Sequence, residues 1–74
     1  MMAERAKAKK LVETALERLA ESVENKKSPA EVKVRRTGVV QHITEYRDKL
    51  NPRETAKYLT QMGEIVRKGG YQLD

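Results

Sequence analysis

The chain has 74 residues, which suits one small domain with a core of only marginal size. It contains no Cys, Phe or Trp, so its composition excludes disulfides and thiolate metal sites and leaves Leu, Val, Ile, Met and Ala to form the core. The net charge is +5, and no apolar run approaches the roughly 20 residues of a membrane span. We therefore predict one cytoplasmic domain over residues 1–74 that does not contact a membrane.

The first predicted element is an amphipathic helix over residues 3–25. Its apolar residues recur at helical spacing and form one stripe that consists of Ala8, Leu11, Val12, Ala15, Leu16, Leu19 and Val23. Glu13, Glu17 and Glu21 lie on the opposite face. The spacing also fits a short coiled-coil seam, but a bundle helix is favoured because too few heptads are present.

A second helix is predicted over residues 29–50, and the pattern allows a break at residues 37–38. Ser28-Pro29-Ala30-Glu31 has the form of a capping box with proline at the first helical position. Arg36 falls inside the predicted apolar stripe, whereas Val34 falls on the polar side. The stripe itself consists of Val32, Val39, Ile43, Tyr46 and Leu50.

Residues 32–37 also allow a short strand, because valine alternates with basic residues in Val32-Lys33-Val34-Arg35. A strand here, followed by helices over residues 39–50 and 52–68, resembles the ribbon-helix-helix family of dimeric DNA-binding proteins. The resemblance implies that Lys33, Arg35 and Thr37 face the bases and that the two helices form the dimer. Arg36, the helix-starting Ser28-Pro29 and the long first helix depart from the family's pattern.

A third helix is predicted over residues 52–68, with Asn51 as its cap and Gly69-Gly70 as its stop signal. Residues 53–68 also resemble a helix-turn-helix unit, beginning at Thr55. However, Thr60 occupies the place of the usual turn glycine, and the apolar pattern continues through the supposed turn, so a single helix is favoured. Its predicted apolar side contains Thr55, Ala56, Tyr58, Leu59, Met62, Gly63, Ile65 and Val66, and Glu54 is assigned to the polar side.

These elements predict an all-α fold, a three-helix bundle in which the first two helices are antiparallel neighbours. The tail after the third helix is expected either to fray or to fold back onto the bundle. The apolar stripes are wide for so short a chain, so we also expect self-association into a homo-oligomer, most simply a homodimer.

The positive charge is concentrated in residues 26–36, which contain five basic residues and one acidic residue. Residues 11–25, by contrast, carry a net charge of −3. A local concentration of this kind is typical of a surface that binds a polyanion. It predicts nucleic-acid binding through a basic cluster of five residues, Lys26, Lys27, Lys33, Arg35 and Arg36. The alternative is a solvated helix end with no partner.

The sequence offers little that indicates catalysis. His42 is the only histidine, and there is no glycine-rich phosphate loop, zinc-ligand spacing or nucleophile paired with a base. We therefore predict a non-enzymatic DNA-binding or regulatory module without a metal or small-molecule cofactor. The rival hypothesis is a protein–protein adaptor or a self-associating structural subunit that uses residues 12–23 or a face containing Tyr46 and Tyr58.

Overall fold

The computed structural model describes residues 2–72 and contains three helices, α1 (Met2–Glu24), α2 (Pro29–Glu45) and α3 (Pro52–Lys68). No strand occurs within this range, so the predicted all-α three-helix bundle is confirmed. The predicted bounds of the first and third helices are correct to within one residue. With its 23 residues, α1 is about 35 Å long and extends along most of the molecule's 38 Å long axis.

The helices run up, down and up along the bundle. Lys49, just after α2, forms an ion pair with Glu4 near the start of α1, so α2 is antiparallel to α1 as predicted. Glu54 at the start of α3 contacts Arg5 on α1, which makes α3 parallel to α1. The end of α1, the start of α2 and the end of α3 therefore meet at one end of the molecule.

The hydrophobic core is arranged along α1. Leu19, Val12, Val32 and Val39 are the largest side chains that are completely buried, and they come from α1 and α2. The predicted stripe of α1 is thus confirmed at its central positions. The remaining buried apolar residues are Ala8, Leu16, Ile43, Leu50, Tyr58 and Val66.

The predicted alternative of a strand over residues 32–37 is wrong, because α2 is continuous through this segment and through Gly38 without a break. Burial follows the helical period: Val32 is fully buried, whereas Val34 is 66 % exposed. The resemblance to ribbon-helix-helix proteins loses the strand on which it depends. The resemblance to helix-turn-helix proteins loses its turn, because α3 is also continuous.

The second helix ends at Glu45 rather than at the predicted residue 50. The regular hydrogen-bond ladder weakens after Tyr46, where the Arg47 amide donates to the Thr44 carbonyl across 3.5 Å. The following turn allows Leu50 to remain buried while the chain reverses direction. Burial at position 50 is therefore correctly predicted, but a turn rather than a longer helix produces it.

Ala56 on α3 is exposed although it was predicted on the apolar side, and two larger side chains of this helix are also misplaced. Leu59 is 41 % exposed rather than part of the core, and the Glu54 side chain is only 14 % exposed rather than on the solvent face. Both follow from how α3 is rotated against α1: the Tyr58 hydroxyl donates to the Glu13 carboxylate across 3.0 Å, and Glu54 accepts from Arg5. These polar contacts turn Glu54 towards α1 and Leu59 towards solvent.

The helix α3 begins with a complete capping box. Asn51 accepts from the Glu54 amide across 2.8 Å, and the Glu54 carboxylate accepts from the Asn51 amide across 3.2 Å. The same carboxylate forms ion pairs with Arg5 and Lys9 at 3.0 and 3.3 Å. Glu54 therefore both starts α3 and attaches it to α1.

Acid is expected to weaken this attachment. The hydrogen bond from Arg5, followed by that from the Asn51 amide, lowers the pKa of Glu54 from 4.5 to about 2. The folded-state pKa lies below the unfolded one, so the stabilisation is present above about pH 4.5 and is lost as the pH falls towards 2. In urea titrations over this range, Glu54→Gln should lose part of the wild-type pH dependence, whereas Glu64→Gln should retain it. An unchanged slope in Glu54→Gln would contradict the role of this carboxylate.

Candidate nucleic-acid interface

Both helices that end near the basic cluster stop in the same backbone motif. At the end of α3, Gly70 has a φ of 78°, and the Tyr71 amide donates to the Val66 carbonyl across 3.2 Å. At the end of α1, Lys26 has a φ of 53°, and the Lys27 amide donates to the Ser22 carbonyl across 3.0 Å. Each is a Schellman motif, in which the residue with positive φ is usually glycine. Lys26 occupies the position that glycine would fill with less strain.

The helix α2 begins at Pro29, two residues after Lys27. The Ser28 hydroxyl accepts from the Glu31 amide across 3.3 Å, as the N-cap of a capping box does, and Pro29 occupies the first turn. This cap fixes where α2 starts and so positions the basic residues on it. Lys26 and Lys27 are exposed in the connection, and Lys33 and Arg35 are exposed on α2.

Arg35 lines a shallow groove between α1 and α2. The groove contains three basic residues, Arg18, Lys27 and Arg35, together with Glu21 and Glu31. Its net charge is positive, but the two carboxylates reduce the local potential. Arg18 was not predicted as a site residue, because in sequence it lies within the acidic stretch of α1.

Arg36 lies on the other side of α2 and is half-buried. It lines a second groove with Met62, Val66, Arg67 and Tyr71. Arg67 was likewise not predicted as part of the site, since it lies more than thirty residues away in sequence. The basic cluster therefore surrounds the first half of α2 instead of forming one flat patch, because successive helical residues are separated by 100°.

Tyr71 connects these parts of the site. Its hydroxyl donates to the Lys27 carbonyl, and its ring packs against the core. The tail therefore folds back as far as Tyr71, whereas residues 73–74 lie outside the described range. The connection that carries Lys26 and Lys27 is thus held by the end of α3 as well as by α1.

Three basic residues at the opposite end of the bundle have acidic partners. Arg5 and Lys9 both contact Glu54, and Lys49 contacts Glu4 at 2.8 Å. In contrast, Lys26, Lys27, Lys33 and Arg35 make no ion pair with any residue in the range 2–72. These four charges remain available to a partner.

The remaining polar features include His42 and the acidic side chains. His42 is half-buried and stacks against Tyr46, with ring centroids 6.4 Å apart. Among residues 2–72, no group of three or more His, Asp or Glu side chains is placed to hold a metal ion. None of the helices in this range is both long and apolar enough to cross a membrane.

No protein-family model, curated protein or solved structure matches the chain. The arrangement of its own residues is therefore what supports a functional assignment.

Proposed function

We propose that the protein is a small non-enzymatic module that binds nucleic acid through the basic cluster. The observation that carries the proposal is the set of four exposed cations without ion-pair partners around the connection and the first half of α2: Lys26, Lys27, Lys33 and Arg35. Phosphate contact releases condensed counterions, and clustered lysine and arginine side chains favour it. The predicted cytoplasmic location remains part of this proposal.

The charge distribution also makes one side of the molecule more favourable than the other for binding a polyanion. Glu17, Glu21 and Glu24 are exposed on α1 and repel a polyanion from that side. The segment from Val32 to Thr44 contains three basic residues and no acidic one. A nucleic acid should therefore approach the bundle from α2.

The backbone conformation of Lys26 also supports the proposed function. A lysine in the left-handed conformation costs roughly 1 kcal/mol relative to glycine, so the position is not optimised for stability. Contact between the Lys26 charge and a partner would explain why lysine rather than glycine occupies this position.

Affinity for a short mixed-sequence DNA duplex, measured against salt concentration, tests this function. The logarithm of the association constant should fall with the logarithm of salt concentration with a slope of about −3 to −5, corresponding to about 0.9 per phosphate contact. Lys26→Gly should flatten the slope by about 0.9 while raising the free energy of unfolding by roughly 0.5–1 kcal/mol, so weaker binding would not reflect unfolding.

Lys57→Ala is the matched control, because it removes one exposed charge from α3. It should leave the slope nearly unchanged. No binding by the wild type at low salt would refute the proposed function. Equal losses in Lys26→Gly and Lys57→Ala would show that binding depends on overall charge rather than on the basic cluster.

A second function, as a self-associating subunit or protein adaptor, is favoured by a specific surface. Leu59 is 41 % exposed and lines a groove at the start of α3 with Leu50, Pro52 and Ala56; its other lining residues are Arg47, Asp48 and Thr55. Val40 on α2 is 40 % exposed. Exposed apolar area of this kind is typical of protein contacts. It differs from the predicted adaptor surface over residues 12–23, whose main apolar side chains are buried in the bundle.

Sedimentation at micromolar concentrations tests self-association through this groove. The wild type should sediment as a dimer, and Leu59→Glu should shift it towards the monomer, because pairing would bury the new carboxylate without a partner. Thr60→Glu, on the neighbouring exposed position, should remain dimeric. A wild type that is monomeric throughout would contradict this second function and leave nucleic-acid binding untouched.

A further inference from the structure

The second groove, which Arg36 lines, combines apolar and cationic side chains. Met62 and Val66 from α3 and the ring of Tyr71 supply its apolar part. Arg36 and Arg67 supply its positive charge, and no acidic side chain lines it among the residues that the structure describes. Its volume is about 420 Å³, within the range of about 300–1,000 Å³ that is typical of sites for small organic groups. Such a groove suits a flat apolar ring that is linked to negative charge.

Gly63 keeps part of this groove open. It is one of the lining residues, and a Cβ atom at this position would meet no atom of another element within 4 Å. Glycine is less favourable than other residues in a helix interior, so the stability of α3 does not explain its presence. The missing side chain leaves room for a ligand beside Met62 and Val66.

The second groove adjoins the basic cluster. Arg36 belongs to both, and the Tyr71 hydroxyl donates to the Lys27 carbonyl, which holds the connection beside the groove. Lys33 precedes Arg36 by three residues and therefore lies on the same side of α2. A chain of phosphates that contacts the basic cluster would thus reach the groove as well.

The acidic residues of α2 and the end of α3 lie away from this groove. Around the axis of α2, Glu31 and Glu45 are separated from both Lys33 and Arg36 by roughly 120° or more. On α3, Glu64 lines a separate groove on another side of the helix. A phosphate chain at the second groove would therefore meet its arginines before any carboxylate of α2.

Resting on the proposed function, we propose that the nucleic acid is single-stranded and that the second groove holds one of its unpaired bases against Met62, Val66 and the Tyr71 ring. Every base has an apolar face that can stack on an aromatic ring, so this contact requires no particular sequence. Arg36 and Arg67 contact the phosphates next to the base. A duplex has its bases paired and stacked, so it offers the groove no free base and binds through its phosphates alone.

Two DNA strands that share their phosphates and differ only in their bases provide the test. One is a thymidine strand of about 12 nucleotides, and the other is the same strand with abasic sugars. The wild type should bind the thymidine strand about 5- to 100-fold more tightly, whereas the salt slope, about −0.7 per phosphate contact, should be the same for both. Thymidine monophosphate at the same concentration should not displace the strand, because it reaches the groove but not the rest of the basic cluster.

Gly63→Leu should fill the groove and abolish the preference for the thymidine strand over the abasic strand. It should leave the affinity for a DNA duplex unchanged. Gly38→Leu is the matched control, because a Cβ atom at Gly38 also meets no other element and Gly38 does not line the groove. Leucine favours a helix more than glycine does, so both variants should remain folded, which circular dichroism checks.

The outcomes separate this inference from the proposed function. Equal wild-type affinity for the two strands, or an equal effect of Gly63→Leu and Gly38→Leu, would overturn the base-binding groove while leaving phosphate binding intact. Displacement of the strand by an equal concentration of thymidine monophosphate would also overturn the proposal, because a free nucleotide would then be the ligand. No binding to any strand or duplex at low salt would instead refute the proposed function.

Discussion

Leu19→Ala is expected to lower the free energy of unfolding by about 3–5 kcal/mol. Leu19 is completely buried near the end of α1, where the two other helices pack, so truncation removes apolar contacts and leaves a cavity. For a domain of 74 residues, that loss approaches the whole stability expected of a small core. Urea denaturation followed by circular dichroism measures it directly.

Leu59→Ala provides the matched control, since it is the same substitution on a helix but at a side chain that is 41 % exposed. Its effect on monomer unfolding should stay below about 1 kcal/mol. If the two variants were equally destabilised, the rotation of α3 described here would be wrong, because Leu59 would have to lie in the core.

Changing Lys33, Arg35 and Arg36 together to alanine is expected to flatten the salt dependence of DNA binding by about 2 to 3 slope units, which removes most of the affinity at moderate salt. The three residues supply all the basic side chains of α2 apart from His42, so the variant removes most of the positive charge of the basic cluster. Affinity should be measured by fluorescence anisotropy over a salt series, with the helical content of the variant checked by circular dichroism.

A control that removes the same number of charges is available in Lys10, Arg53 and Lys57. These residues are exposed and make no ion pair with any described residue. Arg67 is unsuitable as a control because it lines the same groove as Arg36. If the control variant lost as much of the salt slope as the cluster variant, the assignment of the site to α2 would fail.

The local signals in the sequence predicted the helices well. Ser28-Pro29 and Asn51-Pro52 mark the starts of α2 and α3, and Gly69-Gly70 marks the end of α3, because caps and stops depend on neighbouring residues. The early end of α2 was missed. The position of this helix end depends on a chain reversal that keeps Leu50 buried, and the burial of Leu50 depends on residues distant in sequence.

The candidate site was predicted only in part. The five residues of the basic cluster lie within eleven consecutive positions, so their charge density was visible in the sequence, but the grooves that they line were not. Arg18 and Arg67 join the grooves beside Arg35 and Arg36 only because the bundle brings α1 and α3 to the same end of the molecule. The left-handed backbone of Lys26 was also missed, since nothing in the residue type indicates it.

By itself, the sequence determined that this chain forms three helices, where two of them begin, and that its positive charge is concentrated between α1 and α2. The tertiary structure alone decided how α3 is rotated against α1. The apolar side of α3 includes both Tyr58 and Leu59, and the choice between them depends on contacts from Tyr58 to Glu13 and from Glu54 to Arg5, residues more than forty positions apart in sequence. Such contacts exist only once the helices have packed, because hydrophobic periodicity fixes an arc on a helix but not its rotation against a neighbour.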